Sequence, residues 1–177
     1  MTRQELGRAL REAAYLEGDF VLRSGRRSKY YLDKYRFETR PDLLRPLGKL
    51  IAETVREHEP GAVRIAAPAV GAIALAAAAS LESGLPFLIV RDAAKAYGTA
   101  NRIEGVREEG ECVCLVEDVV TSAGAAVESI TVLREAGLRV SNAVCVVDRE
   151  EGGVDELARH AVRLRPLFRA SELLAAS

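Results

Sequence analysis

Two adjacent carboxylates, Glu117 and Asp118, stand at the end of an apolar run that begins at Val113. The run is partly β-branched and predicts a strand that is buried on both faces and ends at the carboxylates. Small residues follow in Thr121–Ala125, and a helical pattern then continues to Gly137. Unpaired N–H groups at the start of that helix, with the hydroxyls of the loop, suit a phosphate. The carboxylates would repel a phosphate, so they suit sugar hydroxyls or a metal ion. The stretch therefore predicts a ligand that carries a phosphate beside a ribose diol.

The stretch is neither a Walker loop nor a dinucleotide fingerprint, because it lacks both glycine patterns. It resembles the 5-phosphoribosyl-1-pyrophosphate (PRPP) motif of type I phosphoribosyltransferases, in which two acidic and two apolar residues precede a Thr/Gly-rich loop. The alternative is an ordinary buried strand with an acidic turn. One departure is Ala123, which stands where many members have glycine. The resemblance implies that the following residues bind PRPP: Glu117, Asp118, Val119, Val120, Thr121, Ser122, Ala123, Gly124 and Ala125.

A basic turn near the N-terminus joins two predicted strands, Phe20–Arg23 and Tyr30–Asp33. Composition alone favours a surface hairpin with solvated arginines. However, the pattern Phe-x-Leu-x-Ser-Gly-x-x-Ser-x-Tyr is similar to the N-terminal signature of orotate phosphoribosyltransferases, with Arg23 where several members place lysine. This resemblance implies a hood over the ligand, in which Tyr30 or Tyr31 stacks on the orotate base.

The segment 91–105 is long for a loop and has no strong apolar period. It is either a solvated hairpin or a flap that closes on pyrophosphate and excludes water. The pattern Arg-x-x-x-Lys-x-x-Gly resembles the catalytic loop of orotate phosphoribosyltransferases, which implies that Arg91, Lys95 and Tyr97 bind PRPP. Asp92 replaces a common lysine, and Tyr97 stands where some members have histidine.

Two further loops follow predicted strands. Residues 68–72 form either a plain turn or, by the resemblance, the loop that binds pyrophosphate through its backbone N–H groups. Residues 148–153 read as a charged turn closed by glycines. By the resemblance, this is the turn in which Arg149 binds the carboxylate of orotate, for which a guanidinium is well shaped. Thr121 is assigned to the orotate site as well.

Strand and helix patterns alternate through the middle of the chain. They predict an α/β fold with a central, mostly parallel sheet and helices on both faces, and they place all four loops at one edge of the sheet. The resemblance covers essentially the whole chain. It implies the type I phosphoribosyltransferase fold as a single domain, 1–177, with a small hood from about 1–40 plus C-terminal elements. The predicted helices are Thr2–Leu16, Pro41–His58, Ala72–Leu81, Val154–Arg159 and Ser171–Ala175, the last capped by Ser171; the remaining predicted strands are Val63–Ala67, Pro86–Val90, Leu138–Asp148 and Val162–Leu167.

Composition limits the other classes of function. The 177 residues suit one domain with a full core. A net charge of −1 gives no general attraction to nucleic acid or membrane. Without an apolar signal core or a run of transmembrane length, the expected location is cytoplasmic. The three cysteines are expected to be small buried hydrophobes, and with only two histidines a structural metal site is not expected.

By the resemblance, the reaction joins orotate to PRPP and gives orotidine 5′-monophosphate and pyrophosphate in de novo pyrimidine biosynthesis. Lys95 and Asp118 are the expected catalytic residues. Mg²⁺ is the expected cofactor, carried by PRPP with few or no direct protein ligands. A homodimer is also implied, with the flap reaching the neighbouring site. Two alternatives stay open: a regulatory protein that binds PRPP without turnover, which Asp92 and Ala123 motivate, and a phosphoribosyltransferase for another base.

Overall fold

The computed structural model describes residues 1–21, 25, 27–92 and 101–175. Within them the chain forms helices and strands in nearly regular alternation after the first forty residues. The helices are α1 (Arg3–Ala14), α2 (Tyr35–Glu38), α3 (Pro41–His58), α4 (Ile73–Ser83), α5 (Gly124–Glu135), α6 (Gly153–Arg159) and α7 (Ala170–Ala175). The strands are β1 (Tyr15–Val21), β2 (Arg27–Leu32), β3 (Arg64–Pro68), β4 (Phe87–Val90), β5 (Ile103–Glu104), β6 (Val113–Val120), β7 (Asn142–Asp148) and β8 (Arg163–Arg169).

The central sheet has the strand order β5-β4-β3-β6-β7-β8. Its neighbours pair in parallel except for β4 and β5, which pair antiparallel. The chain moves outward in one direction from β3 to β4 and in the other direction from β6 to β8. The strand order therefore reverses between β3 and β6. In open α/β sheets, ligands bind in the crevice that such a reversal leaves at the carboxyl ends of the strands. The predicted fold class is confirmed, and β1 and β2 form a separate antiparallel hairpin.

Two apolar cores cover the two faces of the sheet, which explains the almost continuous apolar sequence of β6. Cys114 and Val116 point into the core shared with α3 and α4, whereas Val113 and Leu115 point into the core shared with α5 and α6. The three cysteines lie buried as free thiols, as predicted. In the described part of the chain, no helix combines the length and the apolar character needed to cross a membrane.

Several element boundaries differ from the prediction. β6 does not end at the carboxylates but continues to Val120, because it pairs with β7 up to Asp148. β1 begins at Tyr15 rather than Phe20, because Tyr15 and Leu16 already pair with β2. Helix α2 was not predicted, since four residues are too few to show a helical period.

The last helix also begins earlier than expected. Ser171 lies inside α7 instead of capping it, and its backbone N–H donates to Glu150 Oε2 at 2.9 Å. Helix α3 has the predicted bounds, and Thr2 and Glu5 form a capping box at the start of α1. The division of the chain into one domain with a hood stays a prediction.

Candidate active site

A cavity of about 460 Å³ opens at the carboxyl ends of β3, β4 and β6, where the strand order reverses. Residues 68–72, the base of the predicted flap at Arg91 and Asp92, and the loop after β6 line it together with the start of α2. Three of the four loops chosen from sequence thus meet at one site. The predicted PRPP-binding residues that line the cavity are Arg91, Glu117, Asp118, Val119, Val120, Thr121, Ala123, Gly124 and Ala125. Ser122 belongs to the same loop, is exposed and is not part of the lining. Lys95 and Tyr97 lie outside the described residues, as does Arg23.

The loop after β6 turns sharply into α5 at Ala123. Its φ of 65° and ψ of 13° are left-handed, a conformation that disfavours a side chain with a Cβ atom. This geometry explains why a glycine suits the position. No side chain in the described residues caps α5, so its first N–H groups are available to an anion at the cavity.

Asp118 is held by two contacts. Its Oδ1 accepts a hydrogen bond from the backbone N–H of Val119, and its Oδ2 accepts one from Lys34 Nζ, each at 2.5 Å. Lys34 also lies 5.4 Å from the centre of the Tyr35 ring. The carboxylate is therefore oriented into the cavity beside a cation.

Glu117 has a different environment from its neighbour. It is 7% exposed, and burial, followed by the negative charge of Asp118, raises its pKa to about 8. Glu38 on α2 is similarly buried, and burial followed by the charge of Asp118 raises its pKa to about 8. Near neutral pH, Glu117 and Glu38 are mostly protonated, and the ion pair in this group is the one that Asp118 forms with Lys34.

Arg149 follows β7 and packs under the hairpin. Its guanidinium lies 4.7 Å from the centre of the Tyr30 ring, and its Nε lies 3.0 Å from Glu151 Oε1. The Tyr30 ring stacks on the Tyr15 ring, with 5.5 Å between the ring centroids. Tyr31 points to the opposite face of the hairpin, where its ring centroid lies 5.6 Å from that of Phe20. Because side chains alternate along a strand, the structure brings Tyr30, but not Tyr31, to Arg149.

The turn that carries Arg149 is joined directly to the loop after β6. The backbone N–H of Arg149 donates to the carbonyl of Val120 at 2.9 Å. Gly153 packs so closely that a Cβ atom there would come within 2.6 Å of the Thr121 carbonyl oxygen and would also overlap Val120. The two candidate binding segments are therefore fixed relative to each other.

The remaining loops frame the open side of the cavity. The peptide between Ala69 and Val70 is cis, and the Ala69 N–H donates to the Val90 carbonyl at 2.7 Å. At the base of the flap, Arg91 Nη1 lies 3.9 Å from Glu104, and Arg102 pairs with Glu128 at 2.6 Å.

Sequence reasoning missed Lys34 and Glu38. The available signal was a charged residue directly after the predicted strand Tyr30–Asp33, at a position where the chain leaves the hairpin toward the sheet. Within the described residues, no group of three or more histidine, cysteine, aspartate or glutamate side chains is placed to hold a metal ion.

No family model matches the sequence. The chain is 53% identical over 157 residues to the orotate phosphoribosyltransferase of Methanocella arvoryzae, which covers 89% of this chain and 88% of that protein. The crystal structure of orotate phosphoribosyltransferase from Aeropyrum pernix matches with a TM-score of 0.85 and 34% identity over 96% of each chain. The Mycobacterium tuberculosis enzyme in complex with PRPP matches with a TM-score of 0.81 and 25% identity, covering 97% of this chain and 98% of that one.

The cavity lies where the strand order of a mostly parallel sheet reverses, and it is lined by the acidic end of β6 and a loop of small residues. Together with the structural match, these features define a type I phosphoribosyltransferase. Within that class the near full-length relatives are more specific. The chain belongs to the orotate phosphoribosyltransferase family, as the sequence motifs predicted.

Proposed function

We propose that this chain transfers the phosphoribosyl group of PRPP to orotate, giving orotidine 5′-monophosphate and pyrophosphate in pyrimidine biosynthesis. The observation that carries the proposal is the direct connection between the Arg149 turn and the PRPP loop. Because the two binding segments are fixed together, they can hold a carboxylate-bearing base next to the ribose carbon. Such positioning lowers the barrier by removing orientational freedom.

PRPP is expected to bind along the loop after β6. Its 5′-phosphate lies on Thr121–Ala125 at the start of α5, and its ribose hydroxyls contact Glu117 and Asp118. The C1–O bond breaks, the electron pair leaves with pyrophosphate, and the ribose carbon gains positive charge. The ion pair of Asp118 with Lys34 and the largely protonated state of Glu117 support different roles. Asp118 stabilises the positive charge of the ribose carbon, and Glu117 mainly donates or accepts hydrogen bonds.

Orotate is expected to place its carboxylate on Arg149. Tyr30 lies over the same guanidinium, which supports a base site between the hairpin and the β7 turn. The ring nitrogen of orotate then forms the new bond to the ribose carbon. Deprotonated orotate carries a delocalised anion, so no strong general base is required. The assignments of Thr121 and Tyr31 to the orotate site stay predictions.

The flap completes the site. Arg91 lines the cavity, and Lys95 and Tyr97 are expected to bind the departing pyrophosphate, with Lys95 catalytic. As a homodimer, the protein would share the flap across the interface. The homodimer and the cytoplasmic location stay predictions.

The residues of the cavity fit a magnesium ion that is held mainly by PRPP oxygens. Both oxygens of Asp118 are already engaged by protein donors, and in the part of the chain that the structure describes the acidic side chains do not group into a metal cage. Glu117 and Asp118 would therefore contact the ion through its water shell. The bound ion would neutralise charge on pyrophosphate.

The decisive experiment follows orotate absorbance after addition of PRPP and Mg²⁺. The wild type should consume orotate, and orotidine 5′-monophosphate with pyrophosphate should reverse the change. Arg149→Lys should lower kcat/KM for orotate by roughly 100-fold, because lysine cannot bind a carboxylate in a bidentate way, and should leave PRPP binding intact. Arg159→Lys is the matched control, since Arg159 is exposed on α6 and pairs with Glu156.

The outcomes separate the alternatives. PRPP binding without consumption of orotate would support the regulatory protein instead. Turnover with another base but not with orotate would identify a different phosphoribosyltransferase. Unchanged orotate kinetics in Arg149→Lys would refute the role of that residue.

A further inference from the structure

Lys34 occupies a position that the family motifs do not explain. It follows β2 and forms the N-cap of α2, which is anchored by the buried side chain of Phe37. The N–H of Asp33 also donates to the carbonyl of Ala14 at 2.9 Å. Both contacts fix the backbone from which Lys34 reaches the cavity.

The ammonium group of Lys34 lies between the carboxylate of Asp118, which is expected to contact ribose, and loop 68–72, which is predicted to bind pyrophosphate. Lys34 Nζ is 2.5 Å from Asp118 Oδ2, and the lysine side chain keeps 31% of its exposure while that of Asp118 keeps 6%. A Cβ atom on Gly71 would overlap both Asp118 Oδ2 and Lys34 Nζ. The absence of a side chain on Gly71 therefore lets the ammonium group sit directly against loop 68–72.

The balance of acidic and basic side chains that line the cavity shows why the position of Lys34 matters. The described lining contains three cations, those of Lys34, Arg91 and Arg102, and four acidic side chains, those of Asp92, Glu117, Asp118 and Glu128, of which Glu117 is mostly protonated near neutral pH. Arg102 forms an ion pair with Glu128, and Arg91 lies 3.9 Å from Glu104. Lys34 is thus the described cation that contacts the acidic end of β6.

Lys34 stays charged in this setting. Burial opposes its charged form, but the hydrogen bond and the charge of Asp118 outweigh burial and raise its pKa. An ammonium group has three N–H donors. Contact with Asp118 uses one of them, which leaves donors for an anion on the adjacent loop.

We propose that Lys34 is a PRPP-binding residue whose ammonium group bridges Asp118 and the pyrophosphate moiety of PRPP. The inference rests on the proposed function, because it assigns a further residue to the same substrate. Lys34 also supplies positive charge beside loop 68–72, in a site where Asp92 replaces a lysine that is common in the flap. The competing interpretation is that Lys34 only neutralises Asp118.

The test compares Lys34→Met with Lys29→Met by calorimetry, without orotate, so that binding is measured apart from turnover. Lys29 is a matched control because it lies on β2, shortly before Lys34 in the chain, and pairs with exposed Asp19. PRPP with Mg²⁺ and ribose 5-phosphate are the two probes, since the second lacks pyrophosphate. Lys34→Met should weaken PRPP binding by about 10- to 100-fold, the range of a lost charge-assisted hydrogen bond. It should change ribose 5-phosphate binding by less than about threefold.

Further variants keep the result interpretable. Lys34→Arg retains the charge and should restore most of the PRPP affinity, and circular dichroism should show that each variant is folded. Equal losses for PRPP and ribose 5-phosphate would overturn the proposal in favour of a residue that only positions Asp118. Unchanged or tighter PRPP binding in Lys34→Met would overturn it in favour of a simple counter-ion.

Failure of the proposed function gives a different result. A wild type that binds PRPP and consumes no orotate would refute the function, while the calorimetric comparison would still decide the role of Lys34. A wild type that binds no PRPP would overturn both.

Discussion

Replacement of Glu117 by glutamine should make the protein more stable at neutral and alkaline pH. The side chain lies on β6 and is 7% exposed. Burial first, and then the charge of Asp118, raise its pKa from 4.5 to about 8. Because the folded-state pKa is above the unfolded value, the wild type has its full stability below about pH 4.5 and loses stability as the pH rises toward 8. Glutamine is neutral throughout and does not pay this penalty.

The size of the effect follows from the two pKa values. Each pH unit between 4.5 and about 8 is worth about 1.4 kcal/mol, so the limiting loss at high pH is roughly 5 kcal/mol. At pH 7 the unfolded carboxyl is ionised and the folded one is mostly protonated, which gives a loss of about 3 kcal/mol. Glu38 shares this environment and its pKa is likewise raised to about 8, so its protonation will spread the transition over a wider pH range.

The assay is urea unfolding at a series of pH values from 5 to 9 for the wild type, Glu117→Gln and the control Glu12→Gln. Glu12 is exposed on α1, and its replacement should leave the pH dependence unchanged. The difference between Glu117→Gln and the wild type should be small at pH 5 and grow with pH. Parallel stability curves for these two proteins would refute the protonation of Glu117 in the folded state.

Two further predictions concern backbone geometry and a buried polar network. Ala123→Val should lower the free energy of unfolding by about 2 kcal/mol, because a β-branched residue is strained at the left-handed φ of 65°. The control Ala125→Val, at an exposed position of α5, should lower it by less than about 1 kcal/mol. Equal losses for the two variants in urea unfolding would contradict the argument. Asn142→Ala should lower the free energy of unfolding by about 2 to 3 kcal/mol in the same measurement, because Asn142 Nδ2 donates to Glu59 Oε2 at 2.5 Å and its Oδ1 accepts from Arg165 Nε at 3.2 Å. The control is Asn101→Ala, at an exposed loop position. A similarly small effect of both variants would show that the network adds little stability.

The amino-acid sequence by itself determined the features that depend on neighbours along the chain. The sequence located α1 and α3, because a capping box such as that of Thr2 and Glu5 and a helical apolar period involve only residues a few positions apart. The order of the motifs also identified the family, because each motif is a short run of residue types. Apolar runs located the central strands for the same reason, although pairing with neighbouring strands decided where β6 ends.

Only the tertiary structure decided which side chains meet across the sheet. Lys34 and Asp118 are 84 positions apart, and their contact depends on where α2 and the reversal of strand order place them. The choice of Tyr30 over Tyr31 at Arg149 depends on which face of the hairpin turns inward. The protonation of Glu117 depends on how much solvent the surrounding elements exclude. These properties arise from distances and burial between remote segments, which local sequence patterns do not encode.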